Sequence, residues 1–145
     1  MFQSLLRRLA VPDPNPLDEP DARLALAALL VRLARTDGLY SAEEVDRIDR
    51  VLAQRHGLTA FEAADLRQAA EDLEHAAPDT VRFTRAIKAA VPLAQRVDVM
   101  QAMWSVVLSD GLRDEDEDRL MRLVANLLGL TDVDSAQARQ RAARA

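Results

Sequence analysis

The chain has 145 residues and a formal net charge of −5, which fit one acidic domain and argue against a general nucleic-acid-binding protein. It contains no cysteine and two histidines, which excludes disulfides, thiolate metal sites, a cysteine nucleophile and an imidazole-rich metal site. Hydrophobic residues make up 49% and charged residues 30%, a balance that excludes a disordered tail and a membrane-embedded protein.

The first predicted segment comprises residues 1–20. Three leucines and two arginines within residues 1–10 predict a short amphipathic helix, and four prolines between residues 12 and 20 predict an extended linker. The apolar stretch is too short for a secretory signal, so we expect a cytoplasmic protein. The alternative is a membrane-peripheral protein, with residues 1–10 on the lipid surface and the linker as a spacer.

The second predicted segment, residues 21–132, is a helical domain, and residues 133–145 are predicted to form a C-terminal helical tail. Apolar residues recur at the 3.6-residue spacing of amphipathic helices, and strand-type alternation is missing from the sequence. The predicted helices cover roughly residues 22–36, 41–55, 59–75, 80–91, 92–109 and 114–128. With the tail, this predicts an all-α bundle of about seven helices, in which Trp104 packs in the core.

Two segments repeat the pattern Asp-Gly-x-x-(Ser/Asp)-x-x-Glu, each between an apolar helix and the next helix. Both copies end at a Gly-Leu-Thr segment, at residues 57–59 and 129–131. A helix–loop–helix unit used twice predicts pseudo-twofold duplication with both loops on one face. The candidate site residues are Asp37, Ser41 and Glu44 in the first copy and Asp110, Asp114 and Glu117 in the second.

Helix capping explains only part of this pattern. A Ser, Thr or Asp followed three residues later by Glu is a capping box, which accounts for the Ser/Asp and Glu positions. Asp37 and Asp110 instead lie at helix C-termini, where the helix dipole disfavours a negative charge. An arginine, or hydrogen bonds from the N-terminal N–H groups of a neighbouring helix, is one explanation of these two aspartates. The other is a divalent cation, Ca²⁺ or Mg²⁺, since both prefer oxygen ligands; the pattern matches only the second half of an EF-hand loop.

Five consecutive acidic residues, 114–118, follow the second loop. Such a run is typical of a solvated helix start. One functional alternative is a docking surface for a basic protein partner, formed by Glu115, Asp116 and Asp118, and the other is a weak site for a hard cation such as Ca²⁺ or Mg²⁺.

A family signal lies in the segment Arg96-x7-Trp104-Ser105-Val106-Val107-Leu108-Ser109-Asp110-Gly111. The first copy supplies its counterpart, Leu33-Ala34-x-x-Asp37-Gly38. Together, over about residues 21–132, these motifs resemble the bacterial tellurite-resistance TerB-like family. The resemblance implies an internally duplicated all-α bundle, linked to tellurite and general stress resistance, that binds partners rather than catalyses a reaction. The family's acidic positions would be Asp37, Glu44, Asp110 and Glu117.

We therefore expect a non-catalytic interaction module for protein partners, with an acidic face that binds a divalent cation. Two other function classes remain open. One is a metal-dependent hydrolase with Asp37, Asp110 and Glu117 around a divalent ion. The other is the membrane-peripheral adaptor that uses residues 1–10.

Overall fold

The computed structural model describes residues 19–35, 40–76, 84–85, 88, 93–108 and 115–144. These residues form helices and connecting turns, with no strand among them, so the all-α prediction is confirmed. The six helices with described bounds are α1 (Glu19–Arg35), α2 (Ala42–His56), α3 (Ala60–Ala76), α4 (Leu93–Val107), α5 (Glu115–Leu127) and α6 (Asp132–Arg144).

Two predicted helices fall wholly or mostly outside the described residues. The helix within residues 1–10 and most of the proline linker belong to this part of the chain. Of the helix predicted over residues 80–91, Thr84, Arg85 and Lys88 are described, and all three are helical.

Capping boxes begin α2 and α3, as the sequence predicts. The Glu44 N–H donates to Ser41 Oγ at 3.1 Å, and the Ser41 N–H donates to Glu44 Oε1 at 3.3 Å. The Thr59 N–H likewise donates to Glu62 Oε1 at 2.9 Å, and Thr59 Oγ1 accepts from the Glu62 N–H at 3.1 Å. Each box satisfies N–H groups that the first helical turn leaves without partners.

A further capping box, which the sequence analysis missed, begins α6. Thr131 Oγ1 accepts from the Asp134 N–H at 3.1 Å, and the Thr131 N–H donates to Asp134 Oδ2 at 3.0 Å. Here aspartate takes the place of the usual glutamate or glutamine. Helix α6 therefore begins at Asp132, directly after the second Gly-Leu-Thr segment, just as α3 begins directly after the first.

Helix α1 forms the centre of the core. Every residue from Ala25 to Ala34 is buried except Arg32, which is half-buried. A helix that is apolar on all sides has to be covered on all sides. It packs most extensively against α3, with further contacts to α2 and α4.

The other helices are arranged around this centre. Helix α4 packs mainly against α6, while α5 makes smaller contacts with both. Ala138 of α6 is fully buried, and Trp104 Nε1–H of α4 donates to Ser135 Oγ at 3.2 Å, so the predicted tail contributes to the core. None of the helices in the described ranges combines the length and the apolar character that crossing a membrane requires.

Candidate functional site

The described end of the first Asp-Gly loop is fixed by the α2 cap. Asp37 lies outside the described residues. Glu44 is 7% exposed, and its Oε1 accepts hydrogen bonds from both the N–H and the Oγ–H of Ser41, the latter at 3.2 Å. A cation at this loop would share these oxygens with the cap. These contacts between Ser41 and Glu44 are those of helix capping.

Tyr40, the residue before Ser41, also makes contacts that fix its position. The Arg35 guanidinium, at the end of α1, lies 5.0 Å from the centroid of the Tyr40 ring, within cation–π range. Burial raises the pKa of the Tyr40 hydroxyl well above its ordinary value, and the nearby Glu71 carboxylate raises it further. Tyr40 therefore stays protonated at physiological pH. Arg35 and Tyr40 connect the two ends of the loop.

Ion pairs between helices hold α1 and α2 against α3. Glu74 of α3 accepts from Arg35 Nη1 at 3.0 Å and from Arg32 Nε at 3.4 Å, and the Glu74 side chain is only 12% exposed. Arg67 of α3 pairs with Asp49 of α2 at 2.7 Å and with Glu71 at 3.1 Å. Sequence reasoning did not find these pairs, because only Arg67 and Glu71 have a recognisable spacing, four residues along one helix.

The second loop is described less completely. Asp110 and Asp114 lie outside the described residues, and of Glu115, Asp116 and Glu117 only the helical backbone is described. Asp118 is half-buried. Among the side chains that the structure describes, no three histidines or acidic residues converge in a way that could hold a metal ion. The convergence of Asp37 with Asp110 stays a prediction.

A cleft of about 670 Å³ opens between α5 and α6. Trp104 of α4 lines it and is 7% exposed, so this side chain belongs to the core, as predicted, and also forms part of a cleft wall. The Arg139 guanidinium lies 5.4 Å from the centroid of the Trp104 ring. Further lining side chains are Asp118, Met121, Arg122 and Asp132. The sequence carries no local signal for this cleft, since three separate helices form it.

A smaller cleft of about 300 Å³ lies between α2 and α4. Arg55 and Asp98 line it together with two glutamines, Gln54 and Gln101. Burial lowers the pKa of Arg55, and the charge of Asp98 partly offsets this effect. The side chains at this cleft are suited to hydrogen bonding, but they lack an imidazole, a thiol or paired carboxylates.

One family model settles the affiliation of the chain. The model, described as "Tellurite resistance protein TerB", matches residues 23–140. The chain belongs to the TerB family. The predicted resemblance is therefore confirmed. No significant match was found among curated proteins or among solved structures.

The TerB match extends from within α1 into α6, so it includes the cap at Thr131 and the cleft lining except Ala143. Arg96, a residue of the family signal, has a clear structural role. Its Nη1 donates to the Leu128 carbonyl oxygen at 3.2 Å, and its Nη2 donates to the Lys88 carbonyl oxygen at 3.1 Å. Leu128 lies just after the end of α5, where carbonyl groups lack helical N–H partners, and Arg96 supplies the hydrogen-bond donor for its carbonyl oxygen.

Proposed function

We propose that this TerB domain is a non-catalytic interaction module, related to tellurite resistance and the stress response, that binds protein partners. Its binding surface is an acidic face at the two Asp-Gly loops, and Ca²⁺ or Mg²⁺ is the expected ligand of that face. The observation that carries the proposal is the TerB match over residues 23–140. The family link favours a tellurite-related module, and the sequence pattern supplies the acidic residues.

The fixed flank of the first loop supports a binding role. Arg35, Tyr40 and the Ser41–Glu44 cap restrain the chain on either side of residues 36–39. Fixed flanking residues lose little conformational entropy when a partner or an ion binds beside them, so more of the contact energy contributes to affinity.

The order of the helices supports the proposed duplication. The first half of the domain comprises α1–α3 and the second half α4–α6. In each half, the first helix packs mainly on the third. The second helix of each half ends at a glycine with positive φ, which is Gly57 (65°) in the first half and Gly129 (75°) in the second. A Gly-Leu-Thr segment then begins the third helix at a capping box. A pseudo-twofold relation between the halves would bring the two Asp-Gly loops to equivalent positions, as the acidic face requires.

Calorimetric titration with divalent cations tests the acidic face. Chelator-treated protein is titrated with Ca²⁺, Mg²⁺, Mn²⁺ and Zn²⁺, and the melting temperature is measured in parallel. We expect micromolar affinity for Ca²⁺ or Mg²⁺ and no preference for Zn²⁺, because the loops offer oxygen ligands. A cation at 100 times its Kd stabilises by about 2.7 kcal/mol, which raises Tm by roughly 5–10 °C.

Two double variants distinguish a site from general surface charge. Asp37→Asn/Asp110→Asn should abolish binding and the rise in Tm. The matched control, Asp65→Asn/Asp72→Asn, removes the same charge from exposed positions of α3 and should bind like the wild type. The proposal of a cation-binding face is wrong if both double variants bind the cation alike, or if the wild type shows no heat of binding and no shift in Tm.

A further inference from the structure

Arg67 and Arg139 occupy corresponding places in the two halves of the chain. Arg67 lies eight residues after Thr59, which caps α3, and Arg139 lies eight residues after Thr131, which caps α6. Each is therefore at the same position of the third helix of its half. Their surroundings differ in a way that indicates a binding site.

In the first half, two carboxylates surround the arginine. Arg67 Nε donates to Asp49 Oδ1 at 2.7 Å, and Arg67 Nη1 donates to Glu71 Oε1 at 3.1 Å. The guanidinium is 13% exposed, so these pairs lie in a partly buried place where charge-assisted hydrogen bonds are strong. The first half thus satisfies its arginine with its own acidic side chains.

In the second half, apolar residues replace both carboxylates. Asp49 lies eight residues before Gly57, and the residue eight before Gly129 is Met121. Glu71 lies twelve residues after Thr59, and the residue twelve after Thr131 is Ala143. Within the described part of the chain, Arg139 forms no ion pair, and its guanidinium instead lies over the Trp104 ring.

The places of the missing carboxylates adjoin a cleft, at which Met121 is 1% exposed and Ala143 is exposed. Met121, Arg139 and Ala143 all line the cleft between α5 and α6, together with Trp104. Its volume of about 670 Å³ falls within the usual range for small-molecule pockets, about 300–1,000 Å³. The cleft therefore combines a half-buried cation, Arg139, with the edge of Trp104 and the exposed alanines Ala136 and Ala143. This is the combination that recognises a carboxylate attached to an apolar body.

We propose that this cleft binds a small organic molecule with one carboxylate and an apolar body. The carboxylate pairs with Arg139, in the role that Asp49 and Glu71 have at Arg67. The apolar body packs against Ala136, Ala143 and the exposed edge of Trp104. Asp118, Asp132 and a second arginine, Arg122, also line the cleft, so the formal charges of its lining balance and a ligand with one negative charge fits it better than one with several. The site is separate from the Asp-Gly loops and goes beyond the proposed function.

Trp104 makes the proposal directly testable, because it is the only tryptophan of the chain. Its fluorescence is followed while the full chain is titrated with phenylbutyrate and with octanoate, which offer an aromatic and an aliphatic body. Phenylbutanol and octanol serve as the matched neutral probes. We expect a saturable change with at least one carboxylate and at least tenfold weaker binding of the corresponding alcohol, which is about 1.4 kcal/mol.

Variants on α6 test the role of the guanidinium. Arg139→Gln should weaken carboxylate binding at least tenfold, whereas Arg141→Gln, at an exposed position of the same helix, should leave it unchanged. Ala143→Glu restores a carboxylate at the position of Glu71 and should block the probe while the melting temperature is kept or raised. Its matched control is Gln137→Glu, which adds the same charge at an exposed position.

Three results would each overturn the proposal. The first is that neither carboxylate causes a saturable change in Trp104 fluorescence at millimolar concentration. The second is equal binding of an acid and its alcohol. The third is unchanged carboxylate binding in both Arg139→Gln and Ala143→Glu. Since Ala143 is exposed, Ala143→Glu keeps the test decisive if Arg139→Gln alters the packing of Trp104.

Discussion

Gly57 ends α2 with a φ of 65°, in the left-handed region that side chains with a Cβ rarely adopt. A Cβ added there would meet no atom within 4 Å. Any cost of a substitution is therefore conformational rather than a clash. The N–H groups of Gly57 and Leu58 both donate to the Ala53 carbonyl oxygen, so the turn also satisfies the end of the helix.

We predict that Gly57→Ala lowers the free energy of unfolding by about 1 kcal/mol, because alanine has to adopt a strained φ. Urea unfolding measures the change. Gly57→Asn is the matched variant and should cost less, since asparagine tolerates the left-handed region better than alanine does. A loss for Asn that equals or exceeds the loss for Ala would contradict this explanation.

At the scale of helices, Glu74 connects α1 to α3. Its carboxylate accepts from two arginines of α1, Arg32 and Arg35, and its backbone carbonyl oxygen accepts from Arg32 Nη2 at 3.2 Å. A partly buried carboxylate with two cationic partners contributes more than an exposed ion pair does. The contrasting pair is Arg50–Asp46 on α2, whose side chains are 72% and 67% exposed.

We predict that Glu74→Gln costs about 1–2 kcal/mol of unfolding free energy, because two guanidinium groups lose their carboxylate. Asp46→Asn removes the exposed pair and should cost less than about 0.5 kcal/mol. Chemical denaturation of both variants provides the comparison. Equal losses would mean that burial at the α1–α3 contact does not strengthen the pair.

The sequence predicts helices well where local rules determine them. Apolar spacing and capping boxes placed α2 and α3 within a residue or two of their observed bounds. The tail helix was predicted within a residue of its observed start, but its capping box was missed because Asp134 stands where such a box usually has glutamate or glutamine. For Ser41 and Glu44, the local pattern gave both the residues and their contact.

The contacts that join separate helices could not be predicted in the same way. The ion pairs Arg35–Glu74 and Arg67–Asp49 join residues 39 and 18 positions apart, and no local rule relates them. The cleft beside Trp104 depends on how α4, α5 and α6 pack. One hint was available in the repeat, where Met121 and Ala143 replace the two acidic partners of the corresponding arginine.

For the whole molecule, stability depends on the apolar surface that α1 buries. Leu29, Leu30 and Leu33 are fully buried in one cluster with residues of the five other helices that have described bounds. Domains of this size have a net stability of about 5–15 kcal/mol. One truncated leucine in this cluster can therefore remove a large part of the total.

We predict that Leu30→Ala lowers the free energy of unfolding by about 2–5 kcal/mol, because it leaves a cavity in a packed core. Leu123→Ala is the matched control on α5, where the side chain is 44% exposed, and should cost less than about 1 kcal/mol. Thermal and urea unfolding measure the change in the free energy of unfolding for both variants. Similar losses for the two variants would show that α1 is not the centre of the core.

The all-round burial of α1 also has a consequence during protein synthesis. The ribosome makes α1 before either α3 or α4, the helices that cover it, and Leu93 follows Arg35 by nearly sixty residues. At translation rates of about 5–20 residues per second, the nascent chain carries an apolar helix that α4 does not yet cover for roughly 3–12 s. During this interval α1 resembles the exposed segments that chaperones bind and that aggregates recruit. The yield of folded protein should then depend on how quickly the downstream helices emerge, even when the finished domain is stable.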